Sequence, residues 1–127
     1  MKLYPKYKLK DKLALAWLFI ALAEIDIYEE KPTIKIKHLS RDFIHRFMQL
    51  VRLGRVRSPY QSNIIEWQLT EPQEITFFLT SIIPFIRCQQ QKRVAKLILQ
   101  LIQKPDPEVT KQIRKATRKR PIHYVDF

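Results

Sequence analysis

Apolar positions along the chain change period several times, and each change predicts an element. Residues 13–23, LALAWLFIALA, form a run of eleven uncharged side chains. With Asp11 placed to cap it, the run predicts a helix from about Lys12 to about Asp26 that ends in two acids, Glu24 and Asp26. The helix is apolar on nearly all sides, so it should be buried on more than one face. One small domain can hardly surround it, and a second copy of the chain would cover the remainder. After Pro32 the period drops to two: Thr33, Lys35 and Lys37 alternate with Ile34 and Ile36, a half-buried strand with a basic outer face. Ser40 then caps a helix with Phe43, Ile44, Phe47, Leu50 and Val51 on one side, and the single glycine, Gly54, reads as its C-terminal signal.

The period of two returns at Arg55, Val56 and Arg57, and again where Ile65, Trp67 and Leu69 alternate with Glu66 and Gln68. A turn over residues 58–63 makes these two strands a hairpin. Pro72 opens a helix carrying Ile75, Phe78, Leu79, Ile82 and Ile83, and Pro84 interrupts it. A further helix repeats the spacing at Val94, Leu97, Ile98, Leu101 and Ile102. Pro105 and Pro107 break the pattern, and a basic helix follows to about Lys119. The order predicts an α+β fold, an antiparallel β-sheet with helices packed on one face. Residues 1–103 form its domain, and residues 104–127 are read as a basic C-terminal tail.

Charge sharpens this picture. The 127 residues hold 24 Lys+Arg against 12 Asp+Glu, a formal net charge of +12. Anionic partners follow, nucleic acid first and a membrane surface second. The strand faces opposite the apolar ones present Thr33, Lys35, Lys37, Arg55, Arg57, Glu66 and Gln68. A sheet with cations on its open side is an electrostatic platform for nucleic acid; an ordinary solvated face is the alternative. Lys111, Arg114, Lys115 and Arg118 read equally as a solvated helix or as an arm contacting phosphates. One cysteine, Cys88, excludes a disulfide framework and a cysteine-based zinc site, and reads as a small packed hydrophobe. His38, His45 and His123 are too scattered to propose a metal site. The first residues are too polar for a secretory signal, and the 13–23 run falls short of the roughly 18–20 apolar residues that span a bilayer. The expectation is a soluble intracellular protein with no membrane partner, in an organelle (chloroplast or mitochondrion) or the bacterial cytoplasm.

Three stretches carry a family resemblance: FIALAEIDI at residues 19–27, LGRVR at 53–57, and IIEWQLTEPQEITFFLTSIIPFIRCQQQKRVAKLILQLI at 64–102. Together they resemble the LAGLIDADG homing endonucleases, most closely the single-motif type that acts as a homodimer. The resemblance implies double-stranded DNA as partner, with intron RNA as a further possibility. It also implies hydrolysis of phosphodiester bonds with divalent metal, Mg²⁺. On this alignment Asp26 is the metal ligand and a catalytic residue, and Glu24 supports it. Trp17, Ile20, Ala21 and Glu24 would lie at the dimer interface. Gln89 stands where a basic catalytic residue is common, and Arg87 is the nearby cation that could substitute. The motif's small positions and final glycine are Ile20, Ala21 and Ile27 here, and only residues 27–31 separate Asp26 from Pro32. Two alternatives stay open beside the endonuclease. One is a non-cleaving protein of the same fold, a DNA-binding regulator or an RNA-binding splicing cofactor. The other is a basic structural protein of a ribonucleoprotein.

Overall fold

The computed structural model describes residues 3–58 and 63–117. Helix α1 spans Leu9–Leu22, and the segment that follows it departs from expectation. Glu24 and Asp26 do not end the helix. Ala23 leaves it with extended backbone (φ −69°, ψ 136°), and Glu24–Tyr28 form strand β1. The physical reason is local: Ile25 and Ile27 are β-branched and alternate with the two acids, which is strand spacing. At the other end the helix starts earlier than Lys12. Lys8 is its capping position, and Asp11 sits one turn inside, accepting from the Lys8 backbone N–H at 3.0 Å.

Strand β2, Lys31–His38, pairs antiparallel with β1 through a two-residue turn at Glu29 and Glu30. Both turn residues are left-handed, with φ 51° and 59°. Such turns match the twist of a hairpin but favour asparagine and glycine, so glutamate at both positions stores strain. The short sequel to Asp26 is therefore a complete strand with a minimal turn. Helix α2, Arg41–Val51, begins as expected, with the Ser40 hydroxyl accepting from Phe43 N–H at 3.1 Å. Its end differs. Arg52 is the left-handed residue (φ 53°) that closes the helix, and Gly54 has another purpose. At φ 78° its backbone presses against strand β4, Ile65–Leu69, so closely that a Cβ would collide with the Gln68 carbonyl and the Trp67 indole.

Strand β3, Arg55–Arg57, pairs with β4, and β4 pairs with β2, giving the antiparallel order β1-β2-β4-β3. Residues 59–62 of the expected turn lie outside the described residues. Helix α3 covers Pro72–Ile82, with proline at its first position, and a 3-10 turn at Ile83–Phe85 marks the Pro84 interruption. Helices α4, Gln89–Gln103, and α5, Pro107–Ala116, complete the chain as described.

One face of the sheet holds the core. Ile34, Ile36, Ile65, Trp67 and Leu69 meet Ile44, Phe47, Ile75, Phe78 and Ile98 from the helices, all buried. Trp67 is its centre: the indole packs edge-on to Phe47 at 4.8 Å, touches Phe78, and donates to the Leu53 carbonyl at 2.8 Å. Residues beyond 104, read as a tail, begin with a helix that shares this core, since Val109 and Ile113 of α5 are buried in the same cluster. Ahead of α1, Tyr4 stacks on Phe77, and the Tyr7 hydroxyl donates to the Val51 carbonyl. No described helix is long and apolar enough to cross a membrane.

Candidate nucleic-acid interface and acidic site

Antiparallel register determines which side chains meet on the sheet's other face. Residues directly opposite share a face, so the pairings form rows across the strands. One row runs Glu24, Lys35, Gln68, Arg55; the next runs Lys37, Glu66, Arg57; a third holds Asp26 and Thr33. All seven strand residues expected to face nucleic acid are brought onto this one surface. The period-two spacing that predicted the strands carries this result directly.

The face is an ordered mixture of charges. Lys35 Nζ lies 2.6 Å from Asp26 Oδ2, diagonally across β1 and β2. Lys37 Nζ lies 3.7 Å from Glu24 Oε1 in the same diagonal sense. Arg57 Nε stands 3.6 Å from Glu66 Oε2, and the Gln68 amide donates to that same oxygen. Glu66 is the one buried acid among the described residues, and on strand β4 it stands between Lys37 of β2 and Arg57 of β3. Its carboxylate accepts a charge-assisted hydrogen bond from Gln68 and attracts the Arg57 guanidinium across the strands, so both side chains gather at one oxygen. The Lys35 ammonium is held above its ordinary pKa, first by its hydrogen bond to Asp26 and then by attraction to Asp26 and Glu66, with burial opposing.

The acids lie where the sequence did not place them. Glu24 and Asp26 project from edge strand β1, together with Tyr28, and not from a helix end. Tyr28 is 77% exposed and stands opposite Lys31, so both extend the open face. An expected helix running to about Asp26 hides them; the alternation EIDIY is the signal that places them on a strand. Arg114 of α5 donates to the Ile27 carbonyl at 3.0 Å, which ties the basic helix to the free edge beside Asp26. Lys111 and Lys115 are exposed on the same helix, and Arg118 lies outside the described residues.

Helix α1 turns Leu15, Ala16 and Phe19 inward and leaves Leu13, Trp17 and Ala21 outward, four residues apart, with Ile20 half-buried at their side. Trp17 is 69% exposed. Glu24 is not part of this stripe, since it belongs to the strand. Arg87 borders a hollow of about 230 Å³ with Leu13, Trp17 and Ile20. Gln89 opens α4 and borders another, of about 590 Å³, with Arg93 and Lys115. Among the described residues no hydrogen bond or ion pair joins either of them to Asp26.

Carboxylate oxygens suit a hard divalent cation such as Mg²⁺. The donor type at Asp26 fits, but the donor number within one chain does not: among the described residues no three His, Cys, Asp or Glu side chains converge.

No protein-family model and no curated protein matches the chain. Solved structures do. The homing endonuclease I-CvuI, in complex with its target in the presence of Ca, aligns with TM-score 0.64 and 20% identity over 89% of this chain and 87% of that one. The group I intron-encoded homing endonuclease I-CeuI, complexed with DNA, aligns with TM-score 0.56 and 15% identity over 87% of this chain and 69% of that one. The LAGLIDADG homing endonuclease I-LtrWI, bound to target DNA, aligns with TM-score 0.59 and 19% identity over 92% of this chain, which spans 47% of that one. A four-stranded antiparallel sheet, one helix-covered face and one open polar face are thus arranged here in the fold of the LAGLIDADG homing endonucleases.

Proposed function

We propose that the chain binds double-stranded DNA on the open face of its sheet, as a homodimer joined along α1, and hydrolyses phosphodiester bonds with divalent metal held by Asp26. The observation that carries this reading is the open face itself. Lys35, Lys37, Arg55 and Arg57 stand in register with Thr33, Glu66 and Gln68, so phosphate-binding and base-reading side chains share one surface. Arginine suits guanine edges, glutamine suits adenine, and lysine suits phosphates. The compared proteins of this fold are DNA complexes.

The outward stripe of Leu13, Trp17 and Ala21 supports the dimer. Tryptophan anchors are common at the centres of interfaces, and a twofold axis along α1 would bring both copies of β1 to the middle of the assembly. Two copies of Asp26 would then supply the carboxylates that one chain lacks. A bound divalent ion there would activate water and stabilise the leaving oxygen. The chain's own contribution is to hold the carboxylate on a paired strand beside the phosphates gripped by the sheet.

The test is selection of bound sites from a random duplex pool, followed by cleavage of the winners with Mg²⁺. A symmetric consensus is expected, with cutting that Asp26→Asn abolishes while binding persists. The Asp26–Lys35 ion pair and the neutral Gln89 favour a second reading, a DNA-binding regulator or splicing cofactor that does not cut. Binding without nicking in Mg²⁺ or Mn²⁺ would establish it, and preference for intron RNA would identify the cofactor. Equal, steeply salt-dependent binding to any nucleic acid would point instead to a structural ribonucleoprotein role.

A further inference from the structure

We propose that Glu66 is a positioning residue for DNA recognition: its buried carboxylate turns the Gln68 amide into the orientation that selects adenine, and draws Arg57 to the same point. The inference rests on the reading of the open sheet face as a DNA-binding surface, and adds how two of its side chains discriminate between bases. Its basis is an anomaly of burial. Glu66 stands on the open face, yet its side chain is 7% exposed, against 59% for Arg57. A carboxylate so covered offers little to a base edge. Its effect therefore passes through the side chains that meet it.

Register brings those side chains together. Arg57 of β3 and Lys37 of β2 stand directly opposite Glu66, one on each side. Gln68 follows two residues along β4, flanked across the strands by Lys35 and Arg55. Lysine and arginine can only donate, and a carboxylate can only accept. An amide set among them has one favourable orientation, with its NH2 toward the acid and its carbonyl oxygen toward the cations. Gln68 adopts that orientation, its Nε2 donating to Glu66 Oε2.

The orientation has a consequence for base reading. With one N–H given to Glu66, Gln68 keeps a second N–H and its carbonyl oxygen. Adenine presents a matching acceptor and donor in the major groove, N7 and the N6 amino group. Guanine presents two acceptors, N7 and O6, and one of them would face the Gln68 carbonyl oxygen. Arg57 Nε lies 3.6 Å from the same Oε2, which leaves its two terminal nitrogens for a guanine edge. Without the acid the amide can turn over and donate to guanine, so contact persists while discrimination is lost. An amide already ordered also loses less freedom on binding.

The experiment selects bound sites from a random duplex pool with the full chain, comparing wild type with Glu66→Gln, Gln68→Ala and Arg57→Ala. Each alanine variant identifies the base pair its residue reads. At the Gln68 position wild type should prefer adenine over guanine by about tenfold. Glu66→Gln keeps the shape but can donate as well as accept, and the preference there should fall to about twofold. It should also relax the position read by Arg57 and leave the rest of the consensus unchanged. Affinity for duplex of mixed sequence should not fall, since a negative charge has left the face. An unchanged adenine preference in Glu66→Gln overturns the positioning role and leaves the DNA-binding face intact. A loss spread evenly over the consensus overturns it too, as the mark of structural support alone, and so does a Gln68→Ala chain with the wild-type consensus. A wild type that selects no consensus removes the recognition reading and this inference together. Should Glu66→Gln fail to fold, as judged by its thermal transition, side-chain ¹⁵N relaxation of wild type without DNA decides. The Gln68 amide signal, assigned by its absence in Gln68→Ala, should show an order parameter above about 0.6, and a lower value overturns the proposal.

Discussion

The two faces of the sheet are built from the same strands under different rules. On the covered face of β2 and β4, Ile34, Ile36, Trp67 and Leu69 are fully or almost fully buried. Their positions follow from shape and from removal of apolar surface from water. On the open face, Lys35, Lys37, Glu66 and Gln68 alternate with them and are organised by charge and register. The covered face thus supplies stability, and the open face carries the recognition proposed above. A strand's period of two lets one sequence serve both.

The largest effect that could break this division is at Trp67. Trp67→Ala should destabilise by about 3–5 kcal/mol in urea denaturation, losing both the packed indole and its bond to Leu53. Arg55→Ala, one strand away on the open face, should leave stability within about 0.5 kcal/mol. Its effect should instead be on DNA, lowering the slope of log affinity against log salt by about 1. Similar losses of stability at both positions would dissolve the distinction between the faces.

Next in size is Gly54, which lets the chain pass tightly from α2 to β3. Gly54→Ala should cost about 1–3 kcal/mol, since a methyl group there meets the Gln68 carbonyl and the Trp67 ring at a left-handed backbone position. A near-neutral result would mean the junction yields more easily than the core beside it. The open side carries its own strain, at Glu29 and Glu30. The double substitution Glu29→Asn/Glu30→Gly should stabilise by about 1–2 kcal/mol, read from the same denaturation curves.

The smallest effect concerns the N-terminal segment that straps α1 to the covered side. Burial raises the Tyr7 pKa above its ordinary 10.0, partly offset by Arg52. Because the folded-state value is the higher one, the unfolded chain ionises first. The stabilisation is therefore complete below pH 10.0 and declines as pH rises above it. Tyr7→Phe should flatten that alkaline decline while costing about 0.5–1.5 kcal/mol at neutral pH for the lost bond to Val51. An unchanged alkaline slope would show that the strap does not shelter the phenol.

Much of this was legible in residue order. Strands β2, β3 and β4, the Ser40 cap, the Pro72 start and the Pro84 interruption all stand where local spacing predicts them, because each is set by near neighbours in sequence. The errors occurred where two local patterns overlap. Residues 13–23 are so strongly helical that the reading ran on through Glu24 and Asp26, although Ile25 and Ile27 already alternate with them. Gly54 was recognised as a special position, but its reason lies in β4, across the hairpin and well beyond its neighbours in sequence. Likewise Val109 and Ile113 could be seen as an apolar pair on a basic helix, but not as part of the core.

By itself the sequence determined the α+β order, the inward apolar sets, the cationic outer strand positions and the pairing of two acids after an apolar helix. Those features depend on period, propensity and composition, which are written locally. Only the tertiary structure decided that the acids stand on an edge strand, that Lys35 rather than Arg87 or Gln89 meets Asp26, and that Glu66 gathers Arg57 and Gln68. These depend on which residues face one another across a sheet, and strand order and register are properties of the whole packed chain.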